Sequence, residues 1–130
     1  MREHRPRKGG VSKERVVIPT EADIAWAAGF FEGEGWVGGD RIYCLPLVKI
    51  SQVNPWPLER MLALFGGTIT KTTKRPVGHQ PFFSWSVSGL RANDFLVAIY
   101  NYLSPKQQTR IDAVISAWRA RHKREDNALE

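Results

Sequence analysis

Two acidic side chains, Glu32 and Glu34, lie at the end of an otherwise apolar stretch that runs from Trp26 to Trp36. If the stretch is helical, both carboxylates lie at the negative end of the helix dipole, which repels them. The glycines beside them give little shielding, so the two acids need a cation nearby. Ligands that offer only oxygen favour a hard divalent ion such as Mg²⁺ over zinc. The chemistry indicated is therefore the binding of a divalent cation.

The stretch itself is predicted to be a helix that begins after Thr20. The Thr20 hydroxyl can cap the helix, and Asp23 three residues later gives an aspartate variant of the capping box. From Ile24 to Phe31 the sequence is apolar almost all round, which predicts a buried helix. This run is far shorter than the roughly 20 residues that a bilayer needs. A helix buried inside a soluble protein is the better fit.

Small residues recur along this helix every four positions, at Ala25, Gly29 and Gly33. A glycine inside a helix costs roughly 1 kcal/mol relative to alanine, so a packing reason for two of them is indicated. Such a stripe allows another backbone to approach closely. We therefore expect a seam between two helices.

The composition points to a polyanionic partner. The chain has 130 residues, which predicts one domain that is small for an enzyme acting alone, so a partner subunit is plausible. Its net charge is +6, with 19 Lys and Arg residues and a pI of about 9.8. Nucleic acid is the simplest polyanion to match this charge, and a merely soluble basic protein is the alternative.

The cysteine and histidine content and the hydropathy indicate which covalent and metal links to expect and where in the cell the protein is found. Cys44 is the single cysteine, which excludes an internal disulfide and suits a reducing compartment. His4, His79 and His122 lack the spacing of zinc ligands. No stretch resembles a signal peptide or a transmembrane span. The expected location is intracellular with access to DNA, and an organelle, a phage or a prokaryotic cytoplasm all remain open.

Three segments are predicted along the chain. Residues 1–15 are basic and rich in Pro and Gly, which predicts a flexible arm that either contacts phosphates or acts as a solubilising tail. Residues 16–124 form the single domain. Residues 125–130 form a fraying C-terminal tail.

Hydrophobic periodicity predicts an α+β domain with its helices on one face of the sheet. The first helix is followed by a hairpin (residues 36–42 and 43–53), in which Pro46 indicates an edge or a bulge. A helix ending at Gly66-Gly67 and a second hairpin (68–72 and 82–88) come next. Two helices follow: one over 90–103, and one that starts at a capping box formed by Ser104 and Gln107.

The stretch from Ala27 to Gly35, AAGFFEGEG, resembles the signature of the LAGLIDADG homing endonucleases. In this alignment Ala28-Gly29 match, Phe30-Phe31 replace Leu-Ile, and Gly33 replaces Ala. Glu32 and Glu34 replace the two aspartates, and Ala27 replaces the leading leucine. The resemblance extends over residues 20–118 and implies the family's αββαββα fold, with a curved antiparallel sheet that binds DNA.

The resemblance also implies a catalytic apparatus for phosphodiester hydrolysis with Mg²⁺ or another hard divalent cation such as Mn²⁺. Glu34 is the expected metal ligand, with the Gly33 carbonyl as a possible second, whereas Glu32 is as well suited to a structural role. Gln52 matches the polar residue that orders water near the metal. Lys106 matches the basic residue that stabilises negative charge or tunes the pKa of that water.

A single signature implies a homodimer that pairs its signature helices through Ala25, Gly29 and Gly33 around a twofold axis. The implied substrate is a long pseudo-palindromic duplex, cut on both strands across the minor groove to leave short 3′ overhangs. The implied biological role is intron homing. A DNA-binding regulator that does not cleave, or an RNA splicing maturase, is the alternative on the same fold. The least specific hypothesis is that the chain is a small α+β module that binds a protein partner.

The polar face of the sheet is the expected DNA-reading surface, because a curved β-ribbon fits the major groove. For each side chain on this face, the alternative is that it is an ordinary solvated surface residue. The candidates are Arg41, Tyr43, Lys49, Ser51, Thr70, Thr72, Lys74, Arg75, His79, Gln80, Ser84 and Ser86.

Overall fold

The computed structural model describes the backbone of residues 10–13, 17–40, 44–73 and 80–128, and within these ranges the side chains of residues 17–124. The order of elements is β1 (Gly10–Lys13), α1 (Glu21–Glu34), β2 (Gly35–Gly39), β3 (Pro46–Gln52), α2 (Trp56–Phe65), β4 (Gly67–Thr72), β5 (Phe82–Ser88), α3 (Gly89–Ile99), a 3-10 turn (Tyr100–Tyr102) and α4 (Pro105–Ala128). The segment from α1 to α3 has the predicted αββαββα order. In the described part of the chain, no helix combines the length and the apolar character needed to cross a membrane.

The sheet is antiparallel, in the order β1-β4-β5-β3-β2, and β2 to β5 are the two predicted hairpins. β1 is a correction, because Gly10–Lys13 was predicted to be part of a flexible arm and instead pairs with β4. The outer edge of β4 would otherwise leave a row of backbone N–H and C=O groups unpaired, and β1 satisfies them. Residues 1–9, 14 and 15 of the predicted arm lie outside the described residues.

Pro46 was predicted to mark an edge or a bulge, and that prediction is wrong. It is the buried first residue of β3, a strand that lies between β2 and β5. Its register partner is Gly39 of β2, whereas pairing with β5 starts one residue later, at Leu47. The first residue of a strand is a position at which proline costs no hydrogen bond of the ladder.

The N-terminus of α1 is held by the predicted capping box. The Asp23 carboxylate accepts from the backbone N–H and the hydroxyl of Thr20, both at 2.9 Å, and the Asp23 N–H donates to the Thr20 hydroxyl at 3.2 Å. Arg60 of α2 also donates to Asp23, at 3.1 Å, and its guanidinium lies 4.1 Å from the centroid of the Trp26 ring. The hydrogen bonds from Thr20 and then from Arg60 lower the pKa of Asp23 below its ordinary value of 3.8.

The core lies between the helices and one face of the sheet. Phe95 of α3 is its centre, with ring centroids 6.1 Å from Phe31, 4.8 Å from Phe65 and 5.3 Å from Trp85, all edge-on. The buried indole N–H of Trp85 donates to the carbonyl of Gly66 at 2.8 Å, where α2 ends. These contacts tie α1, α2 and α3 to the central strand β5.

α3 ends at Ile99 and not at Leu103, because a 3-10 turn occupies residues 100–102. The Tyr100 hydroxyl in this turn donates to the Asp112 carboxylate of α4 at 2.9 Å, which raises the pKa of Tyr100. α4 continues to Ala128, so helical backbone extends into the segment predicted to be a fraying tail.

α1 is buried on one side only, contrary to the prediction from its apolar sequence. Ala27, Ala28 and Phe31 face the core, whereas Ala25, Gly29 and Gly33 are exposed. Apart from the adjacent backbone of α1, a Cβ added at either glycine would meet no atom of the described residues within 4 Å. Packing among the described residues therefore does not explain the stripe of small residues.

Candidate active site and nucleic-acid interface

Glu34 is the last residue of α1, and its side chain is exposed. No basic residue lies in the last turn of the helix, and within the described residues the carboxylate has no hydrogen bond or ion pair. The chain turns directly from Glu34 into β2 through Gly35, where any Cβ would overlap the Phe31 ring. An exposed, uncompensated carboxylate at a negative helix end is a suitable ligand for a cation.

Glu32 has a different environment from Glu34. Its carboxylate accepts from the backbone N–H of Ser104 at 2.6 Å and from the Ser104 hydroxyl at 3.0 Å. Ser104 precedes the first residue of α4, and its hydroxyl also accepts from the Gln107 N–H at 3.4 Å. The N-cap N–H, which was expected to bond the Gln107 side chain in a capping box, is thus satisfied by an acid from α1. Both carboxylate oxygens of Glu32 are used to join α1 to α4.

Gln52 and Lys106 lie on the two elements that meet the end of α1. Gln52 is the half-buried last residue of β3, two positions beyond Ile50, the register partner of Gly35. Lys106 is exposed in the first turn of α4, two positions after Ser104. The topology therefore brings the segments of all three predicted catalytic residues to one end of α1. No hydrogen bond connects these three side chains in the described structure.

A complete metal site is absent from a single chain, as far as it is described. No cluster of three or more His, Cys, Asp or Glu side chains occurs in the described ranges. Glu34 offers one hard carboxylate ligand, and the Gly33 carbonyl precedes it directly at the helix end. This donor set fits a hard divalent cation whose remaining ligands come from water, from substrate or from a second chain.

The strand register arranges the side chains on the polar face of the sheet in rows. Ser51, Ser84 and Thr70 form one row, and Lys49 and Ser86 belong to the next. Lys49, Ser51 and Thr70 are exposed, as is Gln80 just before β5, whereas Thr72 and Ser86 are half-buried. Of the remaining candidates, five lie outside the described residues: Arg41, Tyr43, Lys74, Arg75 and His79.

Ser84 is a correction among the candidate contacts. It is only 3% exposed, and its hydroxyl shares a 2.7 Å hydrogen bond with the hydroxyl of Ser51. Ser84 lies on the middle strand between Ser51 and Thr70, so its short side chain is shielded from both sides. It supports the side chain of Ser51 and is not itself accessible to a ligand.

Several residues on this face were missed in the sequence, and Trp36 and Thr68 are two of them. Trp36 is opposite Lys49 and Thr68 is opposite Ser86, which places both in the Lys49 row. A signal was present for Trp36, since Val37 next to it is apolar and buried, so alternation puts the indole on the polar face.

Comparison with known proteins defines the fold. No protein-family profile matches the chain. No curated protein sequence matches it significantly. Among solved structures, the fold is similar to that of the homing endonuclease I-CvuI, crystallised in complex with its target Sro1.3 in the presence of 2 mM Ca. The TM-score is 0.62 at 18% identity, over 84% of this chain and 73% of that one. The expected α+β endonuclease fold is therefore confirmed.

Proposed function

We propose that this protein is a site-specific homing endonuclease that acts as a homodimer on double-stranded DNA. The observation that carries the proposal is the combination of Glu34 with the fold. The chain shares its fold with a homing endonuclease solved in complex with its target, and Glu34 has an exposed carboxylate at the end of α1. The proposed substrate is a long pseudo-palindrome, cut on both strands across the minor groove with short 3′ overhangs.

Glu34 is proposed to hold a divalent cation, Mg²⁺ or another hard ion such as Mn²⁺, together with the Gly33 carbonyl. When bound, such an ion supplies neutralisation of charge on the scissile phosphate and activation of water. Each chain offers one Glu34, so two chains are needed to put one carboxylate beside each strand. The lack of a three-ligand cluster in the described part of one chain is consistent with such a shared site.

Gln52 and Lys106 are proposed to act on the attacking water and on the developing charge. The Gln52 amide would hold the water by a hydrogen bond at the end of β3. The exposed ammonium of Lys106 would stabilise negative charge on the phosphate or lower the pKa of that water. The bonds from Ser104 to Glu32 support this assignment, because they fix the first turn of α4, and with it Lys106, relative to Glu34.

The homodimer is proposed to form through the exposed stripe of Ala25, Gly29 and Gly33. Exposure of the stripe and the empty space above both glycines support a second helix at this position. A twofold axis along the stripe would pair identical surfaces and would bring the two α1 C-termini to the same region. The polar sheet faces of the two subunits would then form one continuous surface for the duplex, with Lys49, Ser51 and Thr70 facing it.

The test uses a plasmid that carries the DNA flanking the gene, joined without interruption, since homing enzymes cut the intact version of their own locus. Purified protein should linearise this plasmid in Mg²⁺, leave it intact in EDTA, and bind it without cutting in Ca²⁺. Sequencing of the ends should show short 3′ overhangs. Stable binding without cleavage in Mg²⁺ or Mn²⁺ would instead identify a DNA-binding regulator, and stimulation of intron splicing without DNA cleavage would identify a maturase.

A further inference from the structure

Trp36 is a large and exposed apolar side chain on the polar face of the sheet, where the apolar side chains of Leu47 and Phe82 are half-buried. It lies on the edge strand β2, is 49% exposed, and is opposite Lys49 in the register. A single exposed apolar residue needs no special explanation on a protein surface. Two further observations distinguish Trp36 from such a residue. They are its packing on Gly38 and its position relative to Glu34.

The indole of Trp36 lies over Gly38, two residues further along the same face. A Cβ at Gly38 would overlap the six-membered ring of the indole, so glycine is needed for the ring to lie close to the strand. The indole packs on the backbone at Gly38, with about half of its surface open to solvent. A side chain that already packs against its own strand loses less conformational entropy when it binds a partner than a fully mobile one does.

Trp36 follows Glu34 by two residues, at the point where α1 passes into β2. Two residues of chain span at most roughly 7 Å, which is about two nucleotide steps along a DNA strand. If Glu34 acts at the scissile phosphate, the indole faces the nucleotides next to the cleaved bond. In this respect the inference rests on the proposed function.

We propose that Trp36 packs its indole against the base pairs that flank the scissile phosphate and makes cleavage selective at those positions. An aromatic side chain of this size contributes a large apolar contact area, which suits thymine methyl groups and partly unstacked base steps. Pyrimidine–purine steps unstack most readily, so the contact should favour such a step beside the cleaved bond. Lys49, in the same row, provides the adjacent positive charge.

The experiment measures binding of labelled cognate duplexes in Ca²⁺, and cleavage in Mg²⁺, for the wild type, Trp36→Phe and Trp36→Ala. Duplexes are varied one base pair at a time. Trp36→Ala should bind the cognate site about 10-fold or more weakly, on the scale of a lost base–aromatic contact. It should also lose discrimination at the flanking base pairs while keeping it elsewhere. Trp36→Phe should lie between the two, because a smaller ring keeps part of the contact.

The control is Val97→Ala, which truncates another exposed apolar side chain, on α3. It should bind and discriminate as the wild type does. A merely structural Trp36 would lower the melting temperature of Trp36→Ala and leave base discrimination unchanged, which would overturn the inference. Full discrimination by both Trp36 variants would overturn it too. These failures differ from failure of the proposed function, in which the wild type itself would not cleave.

Discussion

The carboxylate of Glu32 accepts two hydrogen bonds from Ser104, from its backbone N–H at 2.6 Å and from its hydroxyl at 3.0 Å. The two residues are 72 positions apart in the chain and join the end of α1 to the start of α4. A carboxylate is favoured at this helix N-terminus, where the dipole is positive, as much as it is disfavoured at the end of α1. The two acids of the EGEG sequence are thus separated into a structural one, Glu32, and an available one, Glu34.

Glu32→Ala should destabilise the protein by about 1–3 kcal/mol, because it removes a charged acceptor and leaves two donors of Ser104 unsatisfied. Urea denaturation followed by circular dichroism measures this change. The matched control is Glu34→Gln, which should be neutral or more stable by a few tenths of a kcal/mol, since it removes an unfavourable charge from the helix end. Equal destabilisation by both substitutions would refute the division of roles.

Gly29→Leu should convert the protein from a dimer to a folded monomer. A Cβ at Gly29 meets no other element of the described chain, whereas a leucine there would separate two helices packed along the stripe of Ala25, Gly29 and Gly33. Size-exclusion chromatography with light scattering measures the mass, and circular dichroism reports the fold. Ala120→Leu, a similar enlargement at an exposed position of α4, should remain dimeric. A Gly29→Leu dimer would place the interface elsewhere.

Asp23 should make the stability of the protein fall on acidification below about pH 4. Its pKa in the folded state is lowered by Thr20 and Arg60, so the carboxylate stabilises the fold above its unfolded pKa of about 3.8. This contribution is lost as the pH falls through the lower, folded-state pKa. The difference in Tm between the wild type and Asp23→Asn should therefore be constant near neutral pH and vanish in acid. The control for the loss of one charge is Asp94→Asn, which removes an exposed carboxylate from α3.

Lys49→Gln should weaken DNA binding and reduce its dependence on salt. If Lys49 neutralises one phosphate, the slope of log K against log salt should fall by about 1. Fluorescence anisotropy in Ca²⁺ over a series of KCl concentrations gives this slope. Lys123→Gln changes the same charge at an exposed position of α4, outside the sheet, and should leave the slope unaltered. An unchanged slope for Lys49→Gln would show that Lys49 does not contact a DNA phosphate.

Local signals in the sequence predicted the fold well. Thr20 and Asp23 predicted the start of α1, and the alternation of Phe83, Trp85 and Val87 with serines predicted β5. These signals are local because capping and strand alternation depend on residues only a few positions apart. The α+β order of elements followed from them without any knowledge of long-range contacts.

Long-range contacts account for what the sequence did not predict. β1 forms because the edge of β4 is open, which no local pattern in Gly10–Lys13 shows. The bond between Glu32 and Ser104 depends on two helix ends that meet only in the folded chain. Ser84 is buried by neighbours on two other strands, so its pattern resembles that of an exposed serine. Glu32 and Glu34 were singled out because acidic side chains and glycines alternate at a predicted helix end, which is again local, and the family resemblance implied the metal role of Glu34.

Cleavage by Glu34→Gln tests the central claim most directly, with Glu59→Gln as its matched control on the exposed side of α2. Both variants lose one carboxylate and gain one amide. We predict that Glu34→Gln binds the cognate duplex in Ca²⁺ at close to wild-type affinity but cleaves it in Mg²⁺ about 100-fold more slowly or not at all, the scale expected for a lost electrostatic stabiliser of the transition state. Glu59→Gln should cleave normally. A Glu34→Gln protein that cuts both strands at the wild-type rate would contradict the account.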